Sequence, residues 1–456
     1  MRSQLSQQPL TRGFVDRLGG PRGSHARGPV QSWWTPLRII LAVAWTFLAA
    51  GFLSKANCAV GKPGPGGTSV LNWDGNRQYT SACYNDIIPL YAGRGLDEPG
   101  FPYAYSWVED GLTRYMEYPV LTGMFQGLMG FIARHTYGLV SWAGVPESGW
   151  YFALTALVLS CFWVGTLILV TRLLGNRTWD ALLLAASPLI VVHAFTNWDI
   201  PAVFCAVAAL YAASRGRTGW AGVWIGLGTA VKLWPLFLLG AFFVIAWRNR
   251  RWKQFGILAG TAIGSWLAVN LPIWLAYPEA WGEFYRLNQT RGAEWTTIYA
   301  LLQRVFGFTF SPEFLNTFSL LAFLGLCAVI AIFGVRLRRS PHLVELIVLI
   351  LVAFLLFNKI WSPQYSLWLV VPVVLALPRW RLLVCWMLAD AAVWPILMWH
   401  MLGTDNLGLP HEFLDVAVLV RDGFIIAIAV LVIRQMRGKG QDLLAGPDRL
   451  LGKFAA

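Results

Sequence analysis

"PVLTGMFQGLMGFI", residues 119–132, decides how the chain is threaded. It is an apolar run between two longer ones, Ile39–Leu53 and Trp150–Val170. If it crosses a membrane, every later segment faces opposite to the side its charges ask for. With 14 residues it is shorter than the roughly 17 that a span needs. It is also Gly-rich and interrupted by Gln126. We read it as a juxtamembrane or re-entrant helix that does not cross.

The charges that force this reading lie further along. Of 456 residues, 57% are hydrophobic and only 13% charged, against roughly 25% charged in a soluble protein. Most of the chain therefore belongs in lipid, where only helices and closed barrels satisfy the backbone. The runs have helix length, so the fold class is an all-α polytopic membrane protein. The net charge of +13 does not point to nucleic acid. Basic residues stand at the ends of apolar runs, the positive-inside pattern: before Ile39, then Arg172/Arg177, Arg215/Arg217, Arg248/Arg250/Arg251/Lys253, Arg336/Arg338/Arg339, Arg379/Arg381 and Arg434/Arg437/Lys439. With all of these cytoplasmic, the chain goes out and returns between each pair, giving about twelve transmembrane helices and both termini inside.

This threading divides the chain into a disordered basic cytoplasmic tail (1–35), a transmembrane domain (36–437) and a cytoplasmic C-terminal tail (438–456). Two long loops face outward, 54–149 and 277–312. The first should hold two interfacial helices, near Asp86–Gly95 and Pro119–Ile132. Four cysteines lie within apolar runs. Cys58 and Cys83 flank a polar stretch of the first loop and can pair if it is extracytoplasmic.

The unusual polar groups gather on the outer side: Asp86, Glu117–Tyr118, Asn197–Trp198–Asp199, Lys232, Arg286, Arg291, Lys359, Gln364–Tyr365 and His400. A charge at membrane depth costs ~2.5–3.5 kcal/mol on insertion scales, so one-sided clustering suggests one shared wet site. In "SACYNDIIPLYAGRGL" (81–96), Asp86 precedes Ile87, Ile88, Leu90 and Tyr91, which can bury one face of the segment. A carboxylate fixed in such a half-dry place suits a general base; capping the short helix is its other reading. Asp199, just before Pro201, reads as a helix N-cap as well as a site residue. Lys232 ends an apolar helix on the side where lysine is disfavoured, so it calls for an anion or carboxylate rather than simple snorkelling. Lys359 follows the same logic. Arg286 and Arg291 sit among Trp281, Tyr285, Trp295 and Tyr299, which suits an interfacial belt or a phosphate beside a sugar. His400 reads as structural or as a phosphate donor. Asp390, mid-helix, should pair internally. No metal-ligand cluster, P-loop, dinucleotide fingerprint or serine nucleophile elbow is present in the sequence.

Four stretches, in order, resemble glycosyltransferase family 87: "DIIPLYAGRGLDEPGFPY" (86–103), "EYPVLTGMF" (117–125), "NWDIPAVFCAVAALYAASRGRTGWAGVWIGLGTAVKLWPLFLL" (197–239) and "SPQYSLWLVVP" (362–372). Where the family often has Gly-Gln-x-Asn, this chain has "FTNWD". The family comprises polyprenyl-phosphate-sugar-dependent membrane glycosyltransferases of the GT-C fold. Its phosphatidylinositol-mannoside mannosyltransferases are the members this chain resembles. The resemblance implies a GT-C-type bundle with Asp86 as catalytic base. Tyr91, Tyr118, Asn197, Asp199, Lys232, Arg286, Arg291, Lys359, Gln364, Tyr365 and His400 are then candidates for binding substrate. It further implies a polyprenyl-phosphate hexose donor (mannose by resemblance), a glycolipid or envelope-glycan acceptor, and a site facing out of the plasma membrane. No cofactor is required, though a divalent cation can bridge Asp86 and a phosphate. A flippase or transporter of lipid-linked sugars is the alternative. It should show two related halves, and no internal repeat is evident.

Overall fold

The structure of the protein, a computed structural model, describes residues 33–65 and 68–439. The C-terminal tail beyond 439 and nearly all of the expected N-terminal tail lie outside the described residues. The first helix, α1 (Pro36–Ala56), begins at Thr35, whose hydroxyl accepts from Arg38 N at 3.3 Å, with Pro36 in the first turn. This is a start that satisfies an orphan backbone donor. The remaining long elements are α2 (Val120–Thr136), α3 (Glu147–Leu174), α4 (Ile200–Ser214), α5 (Thr218–Val231), α6 (Leu238–Asn249), α7 (Trp252–Ala276), α8 (Pro278–Thr290), α9 (Ile298–Phe306), α10 (Pro312–Arg336), α11 (Leu343–Phe357), α12 (Ser366–Ala376), α13 (Trp380–Met401) and α14 (His411–Met436).

By length and composition, six helical stretches among the described residues suffice to cross a membrane: those of α1, α3, α7, α10, α13 and α14. The protein is thus a multi-pass membrane protein, but the expected twelve spans are only partly accounted for. Helices α4, α5, α6, α11 and α12 have 15, 14, 12, 15 and 11 residues. Of these, α4, α11 and α12 are apolar and buried nearly all round, as befits helices inside a bundle. The long helices α7, α10 and α14 instead turn residues such as Ile263, Leu321 and Val416 outward.

The apolar run Trp179–Phe195 is not one helix. It is divided into turns at Gly175–Ala181, Leu182–Ala185 and Pro188–His193. Pro188 disfavours helix at Ser187, and the Ser187 side chain instead caps the next turn through Leu189 N. Arg177 anchors the first turn to the end of α12, donating to Val374 O at 3.0 Å and Leu375 O at 3.3 Å.

The loop between α1 and α2 contains more than helices. It carries two antiparallel ribbons, β1 (Gly61–Pro63) with β2 (Ser69–Leu71) and β3 (Trp107–Glu109) with β4 (Leu112–Arg114). The second turns on Asp110-Gly111, both at positive φ (52° and 75°), the Asp-Gly signature of a tight hairpin. Cys58 and Cys83 are disulfide-bonded, tying the end of α1 to the stretch before Asp86. The expected helix over Asp86–Gly95 is reduced to Pro89–Gly93. Its apolar face is not laid on lipid, because Ile87, Ile88 and Tyr91 are 0–2% exposed in the protein core.

Helix α2 packs on α3, α5 and α7. Its glycines make room for the preceding loop. A Cβ on Gly123 would stand 2.5 Å from Tyr103 OH, and one on Gly130 2.6 Å from Leu96 O. Thr122 donates to Val231 O at 2.6 Å, joining α2 to the last turn of α5.

Candidate active site

Asp86 is placed by its backbone first. Its N–H donates to Thr196 O at 2.8 Å, and Asn85 Oδ1 accepts from Ile88 N, three residues on, at 3.0 Å. The loop is thereby joined to 196–199, which precedes α4. Asn197 Nδ2 donates to Asp86 Oδ2 at 2.6 Å and lies 3.2 Å from Tyr118 OH. Asn197 Oδ1 accepts from Trp198 N at 2.6 Å and from Lys232 Nζ at 3.2 Å. One amide therefore couples the carboxylate to the lysine.

Lys232 is the residue that ends α5, where the helix dipole favours a cation. Its Nζ is 3.4 Å from Asp199 Oδ1 and lies between the rings of Tyr118 and Tyr365, at 5.6 and 5.7 Å from their centroids. Asp199 does not cap α4 through its side chain. Its Oδ1 also accepts from Trp368 Nε1 at 2.9 Å, while the buried Oδ2 has no hydrogen-bond partner. Trp368 stacks on Tyr365 with centroids 3.9 Å apart.

Burial pushes the Asp86 carboxyl above the usual Asp range, and the nearby Asp199 charge adds to this. The hydrogen bond from Asn197, the Tyr84 phenol and the charge of Lys232 pull the other way. The Asp86 charge, with burial, in turn raises the Tyr84 phenol. Glu117 and Glu294 are both raised by burial, both feel Asp86, and both are partly offset by Arg291. Glu117 is held by Arg94 at 2.7 Å. Such opposed influences on clustered carboxylates are typical of functional sites.

Beside this cluster lies an apolar cavity of about 330 Å³ between α5, α7, α8 and the start of α2. Tyr118 belongs to both: its ring forms part of the cavity wall and its hydroxyl faces Asn197. Trp266, Trp281 and Phe284 line the far side.

The other candidates divide. Tyr365 joins the cluster, with Gln364 buried beside it in the turn Pro363–Tyr365. Arg291 is exposed and pairs loosely with Glu294 at 3.7 Å. Tyr91 does not reach the cluster; its hydroxyl donates to Glu147 at 2.6 Å and its ring stacks on Tyr151. Arg286 is engaged by Glu283, which Arg114 also approaches at 3.2 Å. Lys359 donates to Arg291 O at 2.5 Å, and burial lowers its pKa. His400 bonds Leu409 O at 3.0 Å and packs edge-on to Trp295. Asp390 accepts from Ser366 Oγ at 2.9 Å, an internal pairing. Among the described residues, no three His, Cys, Asp or Glu side chains form a group able to hold a metal ion.

Sequence reasoning left out Lys55, Tyr84 and Trp368. Lys55 carries a readable signal, a lone lysine in the last turn of a helix long and apolar enough to span. Tyr84 and Trp368 carry none, since an aromatic near an interface is ordinary.

The fold and this centre define a polytopic α-helical membrane protein in which a carboxylate of the loop between α1 and α2 is coupled through one amide to a helix-end lysine. A model of glycosyltransferase family 87 matches residues 139–363 of the chain. That stretch includes Asn197, Asp199, Lys232 and Lys359, and leaves Asp86 and Tyr118 before it. The chain is 28% identical over 198 residues to GPI mannosyltransferase 1 of Kluyveromyces lactis, covering 40% of this chain. It spans about half the length of that curated relative, 48%. Among solved structures, ArnT from Cupriavidus metallidurans bound to undecaprenyl phosphate aligns over 88% of this chain and 78% of its own, at 14% identity and a TM-score of 0.43.

Proposed function

We propose that the protein is an inverting membrane glycosyltransferase of GT-C type, with Asp86 as the general base. The observation that carries this is the Asp86–Asn197–Lys232 chain of contacts beside a cavity of about 330 Å³. An acceptor hydroxyl entering between Asp86 and Tyr118 gives its proton to the free oxygen of the carboxylate as it attacks the anomeric carbon. The new C–O bond forms on one face while the bond from that carbon to the phosphate oxygen breaks on the other, so the configuration inverts. The departing electron pair stays on the phosphate, where Lys232, assisted by Arg291, meets the developing charge. Burial that raises the Asp86 pKa makes it a stronger base than an exposed carboxylate.

The donor is a polyprenyl-phosphate hexose, with mannose favoured by the family resemblance. The acceptor is a glycolipid or envelope glycan, and the site faces outward from the plasma membrane, with both termini cytoplasmic. The match to a mannosyltransferase of yeast supports the sugar without deciding it. The test is transfer of labelled sugar from a defined polyprenyl-phosphate mannose in proteoliposomes. Asp86→Asn is expected to lower turnover by about 10²–10⁴-fold, the usual worth of a general base. Full transfer by that variant removes Asp86 from the mechanism. Passage of the lipid-linked sugar across the bilayer with no transfer replaces the enzyme by a flippase.

A further inference from the structure

Lys55 stands at the outer end of α1, and its residue is only 1% exposed. Its Nζ donates to Tyr84 O at 3.1 Å and lies 4.3 Å from the centroid of the Trp394 ring. Next to it, His193 is fully buried, edge-on to the same tryptophan, with neither ring nitrogen hydrogen-bonded. The Cys58–Cys83 bond joins the same two stretches three residues beyond Lys55 and one before Tyr84. The disulfide and the lysine thus clamp the α1 terminus to the loop that presents Asp86. The Tyr84 phenol, in turn, favours the Asp86 carboxylate, and Lys55 lies within the field of that carboxylate.

The groups that face Asp86 come from every side. Asn197, Tyr84 and Tyr118 are neutral. Asp199, Glu117 and Glu294 are acidic and oppose its ionisation. Two cations favour it, Lys232 from α5 and Lys55 from α1. Lys232 is already shared between Asn197 and Asp199, and in the reaction proposed above it also meets the donor phosphate. A bound phosphate brings negative charge beside Lys232 and cancels much of its effect on Asp86. Lys55, by contrast, is closed in by Trp394 and the Tyr84 carbonyl.

Resting on the assignment of Asp86 as base, we infer that Lys55 is a positioning residue that keeps Asp86 ionised once the donor phosphate has engaged Lys232. The proton accepted by Asp86 still comes from the acceptor hydroxyl; Lys55 itself neither gives nor takes one.

The experiment is the pH dependence of kcat and of kcat/KM for sugar transfer in proteoliposomes. It compares wild type, Lys55→Gln and Lys55→Arg. Gln can keep a hydrogen bond to the Tyr84 carbonyl but carries no charge. The acid limb of its kcat profile should move up by about one pH unit, about a tenfold loss of rate below the midpoint, with the alkaline plateau kept within about threefold. The limb of kcat/KM, which reports the free enzyme, should move less, because Lys232 is unoccupied there. Lys55→Arg should restore the wild-type limb. Equal loss at every pH with an unmoved limb would reduce Lys55 to a packing role and overturn the inference. Should Lys55→Gln fail to fold, the Arg variant decides alone: its charge persists at all pH values, so a limb above that of wild type overturns the inference. Full transfer by Asp86→Asn is a separate failure, of the base itself.

Discussion

At Asp86 two influences compete. Burial and the neighbouring Asp199 favour the neutral acid, whereas Asn197, Tyr84 and Lys232 favour the anion; burial is the largest, and the pKa is raised. The sign for stability follows from linkage. A carboxyl whose pKa rises on folding favours the folded state when protonated. Its contribution is fully present below the unfolded value near ~3.9 and is lost as pH rises through the folded value. At pH 8 the ionised Asp86 is therefore a cost. Asp86→Asn removes that cost, and the amide oxygen it introduces can still accept from Asn197. We expect the variant to unfold at a higher temperature than wild type at pH 8, and the gap to shrink as pH falls through the Asp86 pKa. Thermal unfolding in detergent at several pH values checks this, and a lower Tm at pH 8 would count against it. Asp86 was legible as a lone carboxylate ahead of an apolar face. Its ties to Tyr84 and Asn197 were not, because a tyrosine and an asparagine in a loop carry no distinguishing pattern.

Among the elements, α2 shows why its apolar run is rich in glycine. Its 17 residues include Gly123 and Gly130 on the side that meets the loop Leu96–Tyr103, while Met124, Leu128 and Phe131 are exposed. The glycines, readable only as a weak helix signal, are explained by this close approach. Gly130→Leu would drive a side chain onto the Leu96 carbonyl, backbone that cannot step aside. We expect a loss of about 1–3 kcal/mol, the usual cost of overpacking, read from thermal or denaturant unfolding. Transfer should fall with it, since the same loop leads back to Asp86. Unchanged stability would mean that this contact is not made. The β3–β4 hairpin had a legible turn in Asp110-Gly111, but its strands have only three residues each, too short for an alternating pattern to stand out.

For the molecule as a whole, polar groups buried between helices join the site around Asp86 to the bundle. Arg421 of α14 is 0% exposed; its guanidinium lies 3.4 Å from the Trp361 ring centroid and donates to Thr296 O at 2.5 Å and Asp422 Oδ1 at 3.0 Å. It thus holds the turn that carries Tyr365. Arg421→Met strands a buried carboxylate and should cost about 3–5 kcal/mol, whereas pairing it with Asp422→Leu should recover much of that. A double-mutant cycle on unfolding free energy measures the difference; additive losses would deny the coupling. The length of the apolar runs and the sidedness of Lys and Arg are enough, by themselves, to determine a multi-pass helical protein with its unusual polar groups at one end. Each acts locally, on the transfer of one segment into lipid. The break in Trp179–Phe195, the burial of the short central helices and the pairing of Asp86 with Asn197 and Lys232 depend on tertiary structure. Asp86 and Asn197 are 111 residues apart, and Asn197 and Lys232 are 35 apart, and no local preference relates them. Only the packing of the loop between α1 and α2 against α4 and α5 brings that carboxylate to its lysine.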